Sequence, residues 1–282
     1  MALQPHLITL VLLAAAAHAT WNALVKASGD RLLTFATVAG TGLAMGLLAA
    51  PFVTAPAPAS WPFLLASTVI HGGYYATLLL AYRGDYSVVY PIARGSAPVM
   101  VAGLAALFAG EDVSAVGMAG IGLASFGIVA ASLWGGRRPG ASAMPLVWAG
   151  LTGLTIAAYT VADGMGVRRS GSPAGYVAWL MICMALPILG GALVARRGRI
   201  AAHLRTRWRT GVGGGLLATL AYGLVIYAMG EGAMAQVAVL RETSVVMAAA
   251  IGAFTLNEGF GLRRVAASLL IVAGIVLLHV AG

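Results

Sequence analysis

The sequence predicts an all-α integral membrane protein, with ten transmembrane helices arranged as two inverted five-helix repeats. Three observations lead to this fold class. Of the 282 residues, 60% are hydrophobic and only 9% are charged, whereas about a quarter of the residues in a soluble domain are charged. The mean hydropathy is +0.92 over the whole chain, which indicates many membrane spans. In addition, a segment of the first half recurs in the second half.

Apolar runs, separated by charged or Pro/Gly-rich interruptions, predict the individual helices. A helix needs about 20 residues to cross a bilayer, so ten helices leave short loops and no room for a soluble catalytic domain. The longest polar gap covers residues 196–207. Because no Lys or Arg precedes Lys26, we expect the first run to remain as a helix rather than to be cleaved as a signal peptide. The predicted helices are residues 5–25, 32–54, 61–82, 87–109, 114–134, 145–167, 173–195, 208–230, 233–256 and 263–281.

The excess of basic residues indicates contact with lipid rather than with nucleic acid. The chain has 17 Lys and Arg against 8 Asp and Glu, a net charge of +9. The basic residues lie in short clusters between apolar runs, where they anchor helix ends to headgroups and set the topology. Most of them follow helices one, three, five, seven and nine. The positive-inside rule places these loops in the cytoplasm and both termini outside.

Glycines at four-residue spacing predict close helix packing, because small residues let helix backbones approach each other in lipid. Gly42 with Gly46 and Gly211 with Gly215 have this spacing. A hinge is the functional alternative for these glycines, and packing is the favoured interpretation.

An internal repeat predicts the architecture. The segment from Arg94 to Glu111 aligns without gaps with the segment from Arg241 to Glu258, so Arg matches Arg and Glu matches Glu. Helices four and five therefore correspond to helices nine and ten, and the predicted domains are residues 1–136 and 145–282. Because five is odd, the second repeat must insert in the opposite sense. Secondary transporters with inverted repeats bind substrate near the bilayer midplane, where the repeats meet.

Five sequence strings, taken in their order and spacing, carry a family resemblance over essentially the whole chain. They are HATWNALVK (18–26), YPIARGSAP around Arg94, the pair Gly110-Glu111, YTVADGMGV around Asp163 and LRETS around Arg241. With these strings the sequence resembles the ten-helix, EamA-type branch of the drug/metabolite transporter superfamily.

The resemblance implies a multi-pass carrier of small metabolites in a bacterial inner membrane, often an exporter, which works by alternating access. It does not imply one substrate; HATWNALVK is also similar to members found beside phosphonate-utilisation genes. Members of the family usually have both termini in the cytoplasm, which disagrees with the charge distribution. The orientation of the termini therefore stays open.

Ionisable residues inside the predicted helices are the first candidates for a site, because such groups are costly in a bilayer unless they are paired or hydrated. Arg94 and Arg241 occupy matching repeat positions, so pseudo-symmetry brings them toward one central cavity. Two guanidinium groups suit a carboxylate, phosphate or phosphonate, whose oxygens the planar fork binds in pairs. The alternative is that each arginine neutralises an acidic partner, for which Asp163 and Glu242 are the candidates.

Polar and aromatic residues recur at helical spacing on several predicted helices, and such stripes should face the bundle interior. Hydrogen bonding between helices is the alternative role for them, and the interfacial belt is the alternative for Trp and Tyr near helix ends. We assign Trp61, Trp134 and Trp208 to the belt, and structural roles at helix ends to Glu111 and Glu258. The predicted substrate-binding residues are Trp21, Asn22, Lys26, His71, Tyr75, Tyr90, Arg94, Tyr159, Tyr222 and Arg241.

Proton coupling is a further hypothesis. A carboxyl group held away from water exchanges a proton more readily near neutral pH, and Asp163 and Glu242 both lie within predicted helices. They are the predicted proton-coupling or charge-pairing residues.

A membrane-embedded enzyme and a passive channel are the competing classes. The five histidines form no catalytic or metal-binding constellation in the sequence, and no P-loop is present. Cys183, the single cysteine, lies in an apolar run and is expected to be a buried hydrophobic residue. We therefore expect no cofactor and no metal, and the expected partners are a small-molecule substrate, the lipid bilayer and protons. A monomer and a homodimer are both open.

Overall fold

The computed structural model describes residues 3–26, 30–133, 142–248 and 262–281. Within these ranges the chain is helical, which confirms the predicted all-α fold class. Two short 3₁₀ turns lie between α2 and α3, and residues 243–248 are helical up to the end of their range. The helices are α1 (Pro5–Lys26), α2 (Arg31–Ala49), α3 (Trp61–Ala81), α4 (Tyr86–Ala109), α5 (Ala115–Leu133), α6 (Met144–Arg168), α7 (Pro173–Ala195), α8 (Ile200–Glu231), α9 (Met234–Arg241) and α10 (Leu262–Val280).

Seven of the helices in the described part of the chain are long and apolar enough to cross a membrane. They are α1 to α4 and α6 to α8, while α5 and α10 are apolar over shorter stretches. Most described helix ends lie within one residue of the predicted bounds. Three elements differ from the prediction, and each has a local physical cause.

The second helix ends earlier than predicted. It was expected to run to residue 54, but α2 ends at Ala49 and a 3₁₀ turn follows from Ala50 to Phe52. Pro51 lies in this turn. A proline has no N–H to donate to the preceding turn and disfavours helical backbone in the residue before it.

The eighth helix begins earlier than predicted. The expected polar gap 196–207 is mostly helical, because α8 starts at Ile200 rather than at residue 208. Gly198 has a φ of +80° and supplies the turn after α7. Arginine is a good helix former, and the arginines of this first part of α8 are exposed to solvent. The charged sequence therefore extends the helix beyond its apolar part.

The ninth helix is interrupted. It was expected to run continuously from 233 to 256, but α9 ends at Arg241, Glu242 forms a turn, and helix resumes at Thr243. The Glu242 N–H donates to the carbonyl of Val239, three residues earlier, at 2.9 Å. This tighter hydrogen bond closes the last turn of α9. Residues 249–256 of the predicted helix lie outside the described ranges.

The described residues divide into two compact units, and the division falls within three helices, α1, α3 and α6. Unit 1 contains the described residues of 1–12, 73–161 and 232–282, and unit 2 contains those of 13–72 and 162–231. Each unit draws on both predicted repeats, and the division of the chain into repeats 1–136 and 145–282 stays a prediction from the sequence.

Unit 1 is built around α5, which packs against α4 and α10, while α9 packs against α4. Glycine makes the closest of these contacts possible. A Cβ atom added at Gly120 in α5 would lie 2.7 Å from the carbonyl oxygen of Gly274 in α10, and one added at Gly274 would lie 2.5 Å from the carbonyl oxygen of Gly120. These two backbones can approach only because neither residue has a side chain.

Unit 2 is built around α2, which packs against α7 and α8. The predicted packing glycines lie in these contacts. A Cβ at Gly46 would lie 2.6 Å from the Ala178 carbonyl oxygen, and Cβ atoms at Gly211 and Gly215 would collide with the side chains of Thr37 and Thr41. Their predicted role in close packing is therefore confirmed.

Candidate functional site

A buried ion pair joins α4 to the interruption that follows α9 in unit 1. Arg94 Nη2 donates to Glu242 Oε1 at 2.7 Å. Arg94 is 6% exposed and Glu242 is completely buried, so both charges lie away from solvent. Arg94 therefore has the acidic partner that the alternative interpretation required, and that partner is Glu242.

A second buried guanidinium group, that of Arg241, lies near this ion pair. Arg241 is the last residue of α9 and is 5% exposed. No acidic side chain in the described ranges forms a salt bridge with it, and its Nε has no hydrogen-bond partner there. Because arginine stays protonated in proteins, Arg94, Arg241 and an ionised Glu242 together carry one net positive charge.

The helix interruption suits the signs of these charges. Arg241 lies at the C-terminal end of α9, and Glu242 immediately precedes the helical residues 243–248. A cation is stabilised at a helix C-terminus and an anion at a helix N-terminus. The turn therefore places the Arg241 cation at the C-terminal end of α9, where the partial charge is negative.

Proline also alters the backbone at this site. Pro91 and Pro98 both lie inside α4, on either side of Arg94. Pro98 stands four residues after Arg94 and has no N–H to donate to the Arg94 carbonyl, as a helix otherwise requires. Such gaps in helical hydrogen bonding are tolerated in membrane proteins where neighbouring polar groups compensate.

Tyrosines surround the ion pair. Tyr90 lies one turn before Arg94 and within electrostatic range of Arg94, Arg241 and Glu242. Tyr74 and Tyr159 lie within the same range of Arg94. We call Tyr74, Tyr90, Arg94, Tyr159, Arg241 and Glu242 the arginine cluster.

The arginine cluster contains four of the predicted substrate-binding residues: Tyr90, Arg94, Tyr159 and Arg241. Predicted Tyr75 adjoins it, because its ring centroid lies 5.2 Å from that of Tyr74. The prediction did not select Tyr74, although it belongs to the same helical stripe as Tyr75. Its ring contacts Tyr159 edge to face at 5.7 Å, a contact between α3 and α6 that spacing along one helix does not reveal.

A second cluster surrounds Asp163 in unit 2. Asp163 is completely buried in α6. Its carboxylate accepts hydrogen bonds from the hydroxyl groups of Tyr176 at 3.0 Å and Tyr222 at 2.5 Å. No Lys or Arg in the described ranges forms a salt bridge with Asp163. The observed partners of this predicted charge-pairing residue are therefore tyrosine hydroxyl groups.

His71 and Ser67 of α3 complete this carboxylate cluster. The His71 ring contacts the Tyr222 ring edge to face at 5.8 Å, and His71 Nδ1 lies 3.2 Å from the Ser67 hydroxyl oxygen. Ser67 also lies close to Asp163. The carboxylate cluster thus consists of Ser67, His71, Asp163, Tyr176 and Tyr222, of which the sequence predicted His71, Asp163 and Tyr222.

Tyr176 is another functional candidate, besides Tyr74 and Ser67, that the sequence did not predict. It lies near the start of α7 and is completely buried. A Cβ at Gly166, three residues after Asp163, would lie 2.4 Å from the Tyr176 hydroxyl oxygen. Gly166, the second glycine of the string ADGMG, is therefore the sequence signal that a bulky side chain approaches α6 at this point.

The remaining predicted residues lie on α1 in unit 2. Trp21 Nε1 lies 3.2 Å from His18 Nδ1, and Asn22 Nδ2 donates to the His18 carbonyl at 2.9 Å. These contacts lie within one helix, and the Trp21 ring also meets Phe35 of α2 edge to face. The side chain of Lys26 lies outside the described part of the structure. The role of these residues in substrate binding stays a prediction.

Glu111 has the structural role that the sequence predicted. Both of its carboxylate oxygens accept from the Met234 N–H, at 2.9 and 3.1 Å, so Glu111 caps the first turn of α9. Glu258 and Trp134 lie outside the described ranges. Trp61 contacts Trp179 at a centroid distance of 5.2 Å, and Trp208 is half exposed.

Ionisable side chains buried within membrane-spanning helices mark substrate or ion pathways in membrane proteins. In secondary transporters they commonly lie beside interrupted helices. Both features are present here, and no group of three or more His, Cys, Asp or Glu side chains in the described residues is arranged to hold a metal ion. The helices that are long and apolar enough to cross a membrane, together with the two buried polar clusters, are typical of a multi-pass membrane transporter.

Comparisons with known proteins agree with this class. Residues 143–280 match the EamA-like transporter family, so this part of the chain carries a domain of that family, and the match supports a membrane transporter of the drug/metabolite type. This confirms the resemblance found in the sequence. Members of the family are transporters rather than enzymes.

A protein crystal structure that is 18% identical in sequence matches 96% of this chain and 94% of its own chain, with a TM-score of 0.71. At this identity the match shows a shared fold. No curated protein sequence is significantly similar to this chain.

Proposed function

We propose that this protein is a secondary active transporter that moves a small anionic metabolite across a bacterial inner membrane by alternating access. The arginine cluster binds the anionic group of the substrate. The substrate carries a carboxylate, phosphate or phosphonate group, as an amino acid, an organic acid or a phosphonate-type compound does. Export is the proposed direction.

One observation carries this proposal: the arginine cluster has two buried guanidinium groups and one carboxylate. Arg94 is paired with Glu242, while Arg241 has no acidic partner in the described ranges. A buried charge is costly unless it is compensated. An anionic substrate would compensate Arg241, and the unused Nε of each arginine offers further donors to its oxygens.

The tyrosines favour binding of a ligand with an oxyanion group over binding of a wholly apolar ligand. Tyr74, Tyr90 and Tyr159 lie close to Arg94, and a tyrosine hydroxyl can donate one hydrogen bond. Aromatic rings beside polar groups also give a small metabolite an apolar wall, as in many ligand sites.

The carboxylate cluster is the proposed site of proton coupling in unit 2. Asp163 is buried without a basic partner in the described part of the chain, and two tyrosine hydroxyl groups hold it in place. A buried carboxyl group that alternates between protonated and ionised forms can link transport to a proton gradient. Glu242 is the second candidate for this role.

A ligand screen by thermal unfolding tests the substrate class. The protein, purified in detergent, is heated with organic acids, amino acids and phosphonates, and in parallel with polyamines and nucleosides. A ligand that binds the folded state at ten times its Kd adds about 1.4 kcal/mol of stability. We expect anions to raise the Tm, and polyamines and neutral nucleosides to leave it unchanged.

Two arginine variants make the screen specific to the cluster. Arg241→Gln removes a buried guanidinium group and should abolish stabilisation by the anions, whereas Arg205→Gln removes an exposed one on α8 and should preserve it. Arg241→Lys keeps the charge but loses the planar fork, so it should bind anions more weakly than the wild type. Equal stabilisation of Arg241→Gln and the wild type would refute the proposed site.

Transport itself is tested in proteoliposomes with the anion that stabilises most. Saturable counterflow of that anion is expected for a carrier. Unsaturable downhill flux would instead indicate a channel, and conversion of the anion to a new compound would indicate an enzyme.

A further inference from the structure

The charge that the arginine cluster can accept depends on whether Glu242 carries a proton. Arg94 and Glu242 form a buried ion pair at 2.7 Å, and Arg241 is a second buried cation in the same cluster. Glu242 uses only Oε1 in this pair, because its Oε2 is buried and has no hydrogen-bond partner in the described residues. One carboxylate oxygen is therefore available to take up a proton.

With Glu242 ionised, the two arginines and the glutamate have a net charge of +1. A single negative charge beside Arg241 makes the cluster neutral, and the Arg94–Glu242 pair can stay intact. A ligand with two negative charges needs both guanidinium groups, so Arg94 must turn from Glu242 to the ligand. The carboxylate would then be buried without its counter-charge, a state that proteins avoid by protonation.

Resting on the proposed function, we infer that the arginine cluster binds a monoanion without a proton and a dianion together with one proton from solvent. The proton binds to Glu242, breaks its ion pair and frees Arg94 for the second negative charge. Substrate valence thus sets the number of protons bound at this site. A dianionic substrate is the one whose binding is linked to protons here.

Tyrosines are the other titratable groups near the Arg94–Glu242 pair. Tyr90 lies on the same face of α4 as Arg94, and Tyr74 and Tyr159 lie near Arg94; tyrosine hydroxyl groups keep their protons near neutral pH. On α10, His279 lines an apolar pocket together with Gln236 and Leu240 of α9. Because α10 packs against α9, the test includes a variant of His279.

Sulfate and methanesulfonate are suitable probes, because they are similar in size and shape and differ by one charge. Both stay fully ionised near neutral pH, so neither ligand exchanges a proton itself. Isothermal titration calorimetry of the full-length protein, in two buffers with different ionisation enthalpies, gives the number of protons taken up per anion bound. We expect about one proton for sulfate and about none for methanesulfonate.

The pH dependence of affinity gives a second readout. Uptake of one proton makes sulfate binding roughly tenfold tighter for each unit of pH decrease, as long as free Glu242 is ionised. Methanesulfonate binding should not change over the same range. Glu242→Gln should bind sulfate without proton uptake and without this pH dependence. Asp112→Asn removes an exposed carboxylate after α4 and His279→Gln removes the histidine of α10, and both should keep the wild-type proton uptake.

The outcomes are distinct. Two results on the wild type would overturn the inference and leave the proposed function standing: equal proton uptake for the two anions, or sulfate binding without proton uptake. The same holds if proton uptake persists in Glu242→Gln, or if it disappears in Asp163→Asn alone or in His279→Gln. If neither anion binds the wild type, or if Arg241→Gln binds both as the wild type does, the proposed function fails as well. Should Glu242→Gln not fold, the comparison of the two anions on the wild type still decides the question.

Discussion

Glu111 holds the start of α9 through the backbone N–H of Met234, which both of its carboxylate oxygens accept. The same segment ends α4: Gly110 has a φ of +65°, and the Glu111 N–H donates to the Ala105 carbonyl at 3.2 Å. This is the glycine-dependent way of closing a helix. The pair Gly110-Glu111 therefore ends one helix of the arginine cluster and begins the other.

Glu111→Ala should lower the free energy of unfolding by about 1–2 kcal/mol, because a charged acceptor at a helix N-terminus is lost. Glu111→Gln keeps an oxygen that accepts from Met234 and should lose less. Thermal unfolding in detergent measures both effects. Asp112→Asn, next in sequence but exposed, is the control and should be near neutral. A loss of similar size in Asp112→Asn would show that the cap is not the cause.

Gly120→Ala should destabilise the protein by about 1–3 kcal/mol, because its new methyl group would be forced against the backbone of α10. Gly122→Ala is a matched control on the same helix, since a Cβ there meets nothing within 4 Å. Alanine favours a helix over glycine by about 1 kcal/mol, so this control should be neutral or stabilising. Thermal unfolding of the two variants under identical conditions gives the comparison, and equal effects would contradict the assigned packing.

Asp163→Asn should reduce pH-driven transport to background while the protein still folds, because an amide cannot release a proton. Glu242→Gln tests the second candidate in the same assay. Proton-driven flux in proteoliposomes, with the anion chosen by thermal unfolding, measures the effect. Tyr222→Phe keeps the Asp163 carboxyl group but removes one donor, at a cost of about 1–3 kcal/mol in stability. Unchanged flux and pH dependence in both carboxyl variants would exclude proton coupling through either residue.

Acid should weaken the start of α2, where Asp30 accepts from the Leu33 N–H at 3.3 Å and from Arg196 Nε at 3.1 Å. Partial burial opposes ionisation of Asp30, but these hydrogen bonds and the charges of Arg196 and Arg199 outweigh it and lower its pKa. A lowered pKa in the folded state gives stability that is present above the unfolded-state pKa, near 3.9, and lost as pH falls through the folded-state pKa.

Asp30→Asn should remove this acid-dependent loss while keeping the helix cap, and Asp30→Ala should cost about 1 kcal/mol even at neutral pH. Unfolding curves recorded at a series of pH values check both expectations. If Asp30→Asn lost stability toward acid as steeply as the wild type, other carboxyl groups would be responsible.

Helix positions were predictable here because apolar length is the dominant signal in a membrane protein. The interruption at Glu242 was not, since hydropathy averaged over a window does not register a single tightened turn. The early start of α8 was also not predictable from hydropathy, because charge lowers the hydropathy of a segment without preventing it from being helical.

The candidate site was predictable in its residue types but not in its pairings. Repeat symmetry and burial cost selected Arg94, Arg241, Asp163 and Glu242, yet the sequence left open which acid meets which base. In the structure Arg94 pairs with Glu242, and Asp163 accepts hydrogen bonds from Tyr176 and Tyr222. These partners come from different helices, and neither propensity nor periodicity along one helix determines which side chains meet.

The length of α8 offers a way to follow the protein at work. Its 32 residues extend over about 48 Å, well beyond the roughly 30 Å of a bilayer's hydrocarbon layer. We therefore expect the arginine-bearing first turns to extend beyond the lipid, so that a tilt of the apolar part of α8 would displace their tip in the aqueous phase. A spin label at Ala202, after replacement of Cys183, would report that tilt from the aqueous side.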